Sequence, residues 1–236
     1  MSKNGFLGSI PPAVRHLLIV NVVIWIATIV FEWQGFDLVR YLGLHYVGAP
    51  DFNLAQFVTY MFMHDTRSIA HIFFNMFSLY MFGRILEQVM GTKRFLVYYL
   101  LTGIGAALVQ EAAMWFELRD VLASPAPFVS FPNGMIATVP EYLNMFVAVG
   151  ASGAVFGILL AFGMLFPNAP LYLFFIPVPI KAKWMVIGYG ALELVFGVSG
   201  TMGGVAHFAH LGGLLFGLLI ILLWKKQGKL GGGYYS

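Results

Sequence analysis

Apolar runs of about 20 residues recur along this chain, the length a helix needs to cross a hydrocarbon core of about 30 Å. Inside such a core every backbone N–H and C=O must be paired within the protein, so only helices and closed barrels span it. A barrel would show segments of about 10 alternating residues, and this sequence does not. Charged residues make up 10% of 236, against about 25% in a soluble domain. The expected fold is all-α: one polytopic membrane domain over residues 1–236, a bundle of six transmembrane helices.

The runs place the spans at about 14–31, 68–90, 95–116, 143–166, 184–198 and 204–224, with 228–236 as a flexible tail. No small-residue cleavage site precedes a short apolar core near the N-terminus, so the first span is expected to be retained. Lys and Arg accumulate on the cytoplasmic side of membrane proteins. With the N-terminus inside, Lys3, Arg15, Arg84, Lys93, Arg94, Lys181, Lys183, Lys225, Lys226 and Lys229 fall at the inner face. Arg40, Arg67 and Arg119 then fall outside. Both termini are therefore expected in the cytoplasm, with the chain in a cell membrane, as in a bacterial inner membrane.

Two outer connections are long. Residues 32–67 are too apolar for a solvated loop and read as short amphipathic pieces in the interface. Residues 117–142 carry Pro125, Pro127, Pro132 and Pro140 and read as an irregular loop. The last outer connection, Ser199 to Gly204, is glycine-rich and free to move over the outer ends of the helices. There is no cysteine, which excludes disulfides, thiolate metal sites and cysteine nucleophiles. The net charge of +3 comes from residues at segment ends, so nucleic acid is not an expected partner. The lipid bilayer is.

Ionisable or strongly polar side chains within spans are functional candidates. They are His71 and Asn75 in span two, Ser152 in span four, and His207 and His210 in span six, with Glu111 and Glu193 in spans three and five. Asn75 precedes Met90, Ser152 precedes Pro167 and His210 precedes Lys225 by the same number of residues. At 1.5 Å per residue each lies roughly 22 Å from the inner end of its helix, about 8 Å below the outer surface. Three parallel spans thus bring a His–Asn pair, a serine and a histidine to one level. Gly150, Gly153 and Gly157 on span four, and Gly212, Gly213 and Gly217 on span six, permit a close crossing. Gly153 and Gly157 also fit a G-x-x-x-G packing pair with no chemistry attached.

A serine becomes a nucleophile when a base removes its proton, and neutral histidine suits that task near pH 7. The attacked carbonyl then needs preorganised donors. His71 and Asn75 supply side-chain donors, and unpaired N–H groups at a helix start around Ser152 supply more.

Four motifs carry a family resemblance. They are Gly150-Ala151-Ser152-Gly153, Ala209-His210-Leu211-Gly212-Gly213, His71-Ile72-Phe73-Phe74-Asn75, and the Gly83, Glu87, Gly91 series at the inner end of span two. In this order and on these spans they resemble the rhomboid family of intramembrane serine proteases, of the bacterial six-helix type. The resemblance implies a Ser–His dyad without a third carboxylate. Ser152 would be the nucleophile and His210 the base, with His71, Asn75 and the Ser152 N–H as oxyanion hole. Single-pass membrane proteins, cut near the outer face, would be the substrates, and span five with the last outer connection would be the gate. No cofactor and no metal are implied.

The sequence also departs from the family. Some members carry a tyrosine that stacks on the base; here it is Phe156, which keeps the ring and loses the hydroxyl. The tryptophan–arginine pair of some members is absent, and the region reads Ala55-Gln56-Phe57. His207 is expected to line the water-accessible cavity, Glu87 to tie helix ends to nearby N–H groups, and His64 to be structural. Glu111 and Glu193 can each pair with a histidine or face the bundle interior, and Glu193 as a hidden third catalytic member is the disfavoured reading. The alternative function is an inactive rhomboid-like protein that binds membrane clients. A zinc protease is disfavoured because His207-Phe208-Ala209-His210 lacks the glutamate of H-E-x-x-H. A transporter is disfavoured because no paired internal repeat is visible.

Overall fold

The computed structural model describes residues 6–172, 178–200 and 206–230. Among the described residues six helices make up the bundle: α1 (Pro12–Trp33), α2 (Ile69–Met90), α3 (Thr92–Ala123), α4 (Ser152–Leu165), α5 (Ala182–Ser199) and α6 (His207–Lys226). Of these α1, α2, α3 and α6 are long and apolar enough to cross a membrane by themselves. Residues 201–205 and 231–236, where the expected outer gate and most of the tail fall, lie outside the described residues. Apolar side chains remain outward on every long helix, among them Ile26 on α1, Leu101 on α3 and Leu219 on α6. That surface suits lipid, which is as apolar as the side chains it meets.

Glycines set the centre of the bundle. Helix α6 packs on α3 and α4. A Cβ on Gly213 would overlap the Gly153 carbonyl oxygen, so the close α4–α6 crossing depends on the missing side chain at Gly213, while a Cβ on Gly153 would meet Ala106 of α3. One turn further on, Gly157 accepts a hydrogen bond from the Tyr98 hydroxyl of α3 at 2.7 Å. At the end of the bundle where α1 and α3 begin, Glu87 is 2% exposed, and its carboxylate accepts from the N–H groups of Ala13 (2.9 Å) and Val14 (2.8 Å) and from the Thr92 hydroxyl (2.8 Å). It caps the unpaired first turn of α1 while joining α2 to the start of α3. Gly91, at φ 81°, makes the sharp turn between α2 and α3 that Glu87 spans. Gly83 packs tightly against Leu79, Val14 and Phe95, so that a Cβ there would crowd all three side chains.

Three features differ from the sequence reading. The span expected at 143–166 is not one helix: Val139–Asn144 is a short helix of its own, strand β4 (Val147–Ala148) follows, and α4 begins only at Ser152. Gly150 has φ 131°, outside helical space, so the hydrophobic run enters the bundle extended. Helix α3 continues to Ala123 rather than stopping near residue 116. At 1.5 Å per residue its 32 residues reach roughly 48 Å, well beyond the hydrocarbon core. The connection after it is not irregular: strands β2 (Phe128–Ser130) and β3 (Ile136–Thr138) form an antiparallel hairpin. Thr138 and Glu141 then build a capping box for the following helix.

The first long connection forms short helices, as the sequence reading expects, and part of it folds inward against the bundle. Tyr60, Met61 and Met63 are core residues, and strand β1 (Leu44–His45) pairs antiparallel with β4. Its hub is Gln56, fully buried. The Gln56 amide donates to the carbonyls of Tyr41 and Asp51 and accepts from the His45 N–H. This connection therefore holds the extended entry to α4 from one side.

Candidate active site

Ser152 opens α4, so its backbone N–H and those of the next residues have no partner within the helix. Gly150, just before, donates its N–H to the Tyr60 carbonyl at 2.9 Å. That bond anchors the entry to the helix and fixes where Ser152 stands. His210 lies one turn into α6. The close α4–α6 crossing brings the two side chains to hydrogen-bond contact, with Ser152 Oγ 2.7 Å from His210 Nε2. Phe156, one turn after the serine, stacks on the His210 ring at 4.3 Å with 9° between the planes. The His210 ring is thereby held on its face by an aromatic ring and at its edge by the serine.

On the other side of the serine stands α2. A Cβ placed on Gly150 would lie 2.9 Å from His71 Nε2 and 3.6 Å from Ser152 Oγ. The absent side chain therefore leaves a space between a ring nitrogen and the serine oxygen. His71 Nδ1 accepts from the Asp65 N–H at 3.3 Å, which assigns the proton of the neutral ring to Nε2, facing that space. Asn75 is buried, and its Nδ2 donates one proton to the His71 carbonyl at 2.9 Å, keeping its second. His71, Asn75, Ser152, Phe156 and His210 line a single cavity of about 1440 Å³. It opens at the end of the bundle where α1 and α3 finish and α2, α4 and α6 begin.

Three residues in or near this site have placements that the sequence did not specify. His64 is fully buried beside His71, with ring centroids 5.2 Å apart. Burial, with the neighbouring His71, pushes it down to about 4. Gln110 accepts from the Ala209 N–H at 3.2 Å and braces α6 next to His210. Its position beside Glu111 in a long apolar helix was the available signal. Glu111 itself turns to the first connection, accepting from the Val47 N–H at 2.9 Å.

His207 does not line the cavity, contrary to the sequence expectation. Its Nδ1 is 2.6 Å from Glu193 Oε2 on α5. The same oxygen lies 2.9 Å from His210 Nδ1, out of line with that nitrogen for a regular hydrogen bond. A carboxylate thus stands behind the histidine that the dyad expectation left alone. Glu193, His207 and His210 also form a group whose potential ligand atoms all lie within 4.8 Å of one another, a His₂–carboxylate composition that zinc accepts.

The family comparisons agree with the motifs. The Rhomboid domain family matches residues 51–227. Rhomboid-like protein 11, chloroplastic, of Arabidopsis thaliana is 30% identical over 231 residues, covering 89% of this chain and 64% of the relative. Rhomboid protein 1, mitochondrial, of Saccharomyces cerevisiae is 30% identical over 149 residues, covering 63% of this chain and 36% of the relative. The Rhomboid protease AarA of Providencia stuartii is 25% identical over 223 residues, covering 88% of this chain and 70% of the relative. The chain thus spans less than two thirds of the first two relatives' length. With a family match over most of its residues, the four motifs in order and a multi-pass helical bundle around them, this chain is a member of the rhomboid family.

Proposed function

We propose that the chain is an intramembrane serine endopeptidase that hydrolyses peptide bonds of transmembrane protein substrates. The observation that carries this reading is the 2.7 Å contact between Ser152 Oγ and His210 Nε2, within a cavity that also holds His71 and Asn75. In this reading Ser152 Oγ attacks the scissile carbonyl and its proton passes to His210 Nε2. The carbonyl oxygen becomes an oxyanion in the space over Gly150. There the His71 Nε2–H, the second amide proton of Asn75 and the Ser152 N–H donate to it. His210 then returns the proton to the departing amine, and a water repeats the sequence on the acyl-enzyme. The stacked Phe156 ring limits His210 to orientations that keep Nε2 on the serine.

The substrate class follows from depth. The site lies inside the bundle near one end, so a membrane-spanning segment that unwinds near that face can reach it. The Lys and Arg distribution supports cytoplasmic termini, and in that orientation this is the outer face. Helix α5, whose Ile187, Leu194 and Val198 are exposed, is the side of entry that the family resemblance implies. The relative AarA carries the name of a protease, in keeping with this reading.

The deciding experiment incubates the purified protein with a transmembrane substrate and, separately, with a fluorophosphonate. Cleavage and covalent labelling are expected for the wild type, and neither for Ser152→Ala or His210→Ala. Equal turnover by wild type and Ser152→Ala would remove the serine from the mechanism. Substrate binding without cleavage by either would favour the inactive client-binding alternative.

A further inference from the structure

Glu193 has no evident packing role. Its helix, α5, shows lipid-type residues around it, with Leu192, Leu194 and Val195 all exposed. Its own side chain is only 15% exposed. A buried carboxylate is retained when it is paired, and an ionisable group inside a span marks function. Among the described residues, the polar atoms paired with this one are two ring nitrogens, His207 Nδ1 at 2.6 Å and His210 Nδ1 at 2.9 Å.

The two contacts differ. His207 Nδ1 meets Oε2 in hydrogen-bond geometry. His210 Nδ1 is equally buried, close to the same oxygen, and has no aligned partner. Meanwhile Ser152 occupies Nε2 of His210. A neutral His210 that accepts the serine proton at Nε2 must carry its own proton on Nδ1. That proton then lies beside a carboxylate oxygen which His207 holds in place.

We propose that Glu193 is a positioning residue for the His210 base, with His207 as its anchor. The proposal rests on the serine-protease reading of Ser152 and His210. Glu193 favours the Nδ1–H form of the ring, the form able to receive the serine proton. When the Ser152 O–H bond breaks and the Oγ–carbon bond forms, the proton moves to Nε2 and the ring becomes a cation. Glu193 remains ionised and offsets that charge across Nδ1–H. No proton is passed to the carboxylate. As the amine leaves, the Nε2 proton goes with it and the ring returns to neutral. The out-of-line approach in the resting protein means that the Nδ1–H···Oε2 bond is completed as the ring takes up charge. Because Glu193 is on α5 while Ser152 and His210 are on α4 and α6, the arrangement also makes the state of the base depend on where α5 sits.

The test uses the full chain in detergent micelles or liposomes. Glu193→Gln, which keeps the shape and removes the charge, is compared with Glu193→Asp, Ser152→Ala and wild type. Three quantities are read: the rate constant of fluorophosphonate labelling, kcat and KM on a transmembrane substrate, and the thermal midpoint. For Glu193→Gln, labelling rate and kcat are expected to fall by about 10- to 10⁴-fold, the upper end being the loss when a serine protease's base loses its carboxylate. KM should stay within about twofold, the mark of an interaction used in the transition state. Glu193→Asp should recover part of the loss. A chelator should leave the wild type unchanged.

Labelling of Glu193→Gln at the wild-type rate would overturn the proposal. So would a loss confined to KM and the thermal midpoint, which belongs to a structural residue. Wild-type activity that disappears with chelator and returns with zinc would assign the same three side chains to a metal instead. A wild type that is not labelled, or a Ser152→Ala variant that is, would fail the protease reading itself and is told apart by that control.

Discussion

The crossing of α4 and α6 gives the most demanding test of how packing sets the chemistry. In Gly213→Ala the new Cβ would overlap the Gly153 carbonyl oxygen. Cβ atoms do not approach other heavy atoms below 3.0 Å, and the oxygen is part of a helix backbone and cannot rotate away. The two helices must part by roughly 1 Å, the kind of backbone shift that overpacking forces. Gly153 adjoins Ser152, and Gly213 is one turn from His210, so the displacement is delivered to the 2.7 Å contact between them. Opened by that amount, the pair lies beyond the reach of about 3.2 Å that proton transfer needs. A misplacement of about 1 Å costs on the order of 10²-fold in rate, or about 2.7 kcal/mol, and the overpacking itself costs about 1–3 kcal/mol of stability. The assay is kcat on a transmembrane substrate together with fluorophosphonate labelling and thermal unfolding. Gly188→Ala is the control, because its Cβ meets nothing within 4 Å; it should be neutral or stabilise by up to about 1 kcal/mol. A folded Gly213→Ala protein with wild-type kcat and labelling would refute the argument that this crossing holds the site together.

Three further outcomes are expected. Phe156→Leu removes the ring stacked on His210; a ring pair is worth about 0.5–1.5 kcal/mol, so kcat should fall by up to about tenfold with KM little changed, and a fully active variant would show that the stack is incidental. Glu87→Gln replaces a carboxylate that accepts from Ala13, Val14 and Thr92; charged hydrogen bonds contribute about 1.5–3 kcal/mol each, so the thermal midpoint should drop clearly while kcat per folded molecule is retained. His64 has its value lowered by burial from 6.5 to about 4, so the unfolded chain takes up the proton first. Stability from this group is complete above pH 6.5, declines as pH falls towards about 4 and is flat below, by on the order of 3 kcal/mol in all. His64→Leu should flatten that window in a denaturation series across pH.

Much of the site is legible in the chain because membrane helices convert sequence number into depth. Counting from segment ends put Asn75, Ser152 and His210 at one level, and the glycines on spans four and six marked where two backbones could approach. Both are one-dimensional properties. The role of Glu87 was foreseeable for the same reason: a carboxylate at the inner end of one span lies level with the unpaired N–H groups that begin another.

Other features depend on which element neighbours which, and no count along the chain supplies that. The apolar run at 143–166 gave no sign of its break, because hydropathy does not register a backbone angle; the φ of 131° at Gly150 and its bond to the Tyr60 carbonyl decide that α4 starts at Ser152. Gln56 became the hub of the first connection through three partners brought together by folding. Glu193 was visible as a carboxylate in a span, yet its partners lie on the next helix and depend on how α5 is rotated. The sequence by itself determined a helical membrane bundle and the common level of its polar side chains, since these follow from hydrophobicity and helical rise, and its motifs marked the family. Tertiary structure alone decided the helix start at the serine, the inward fold of part of the first connection and the carboxylate behind His210, since each requires atoms from separate elements to meet within a hydrogen bond's length.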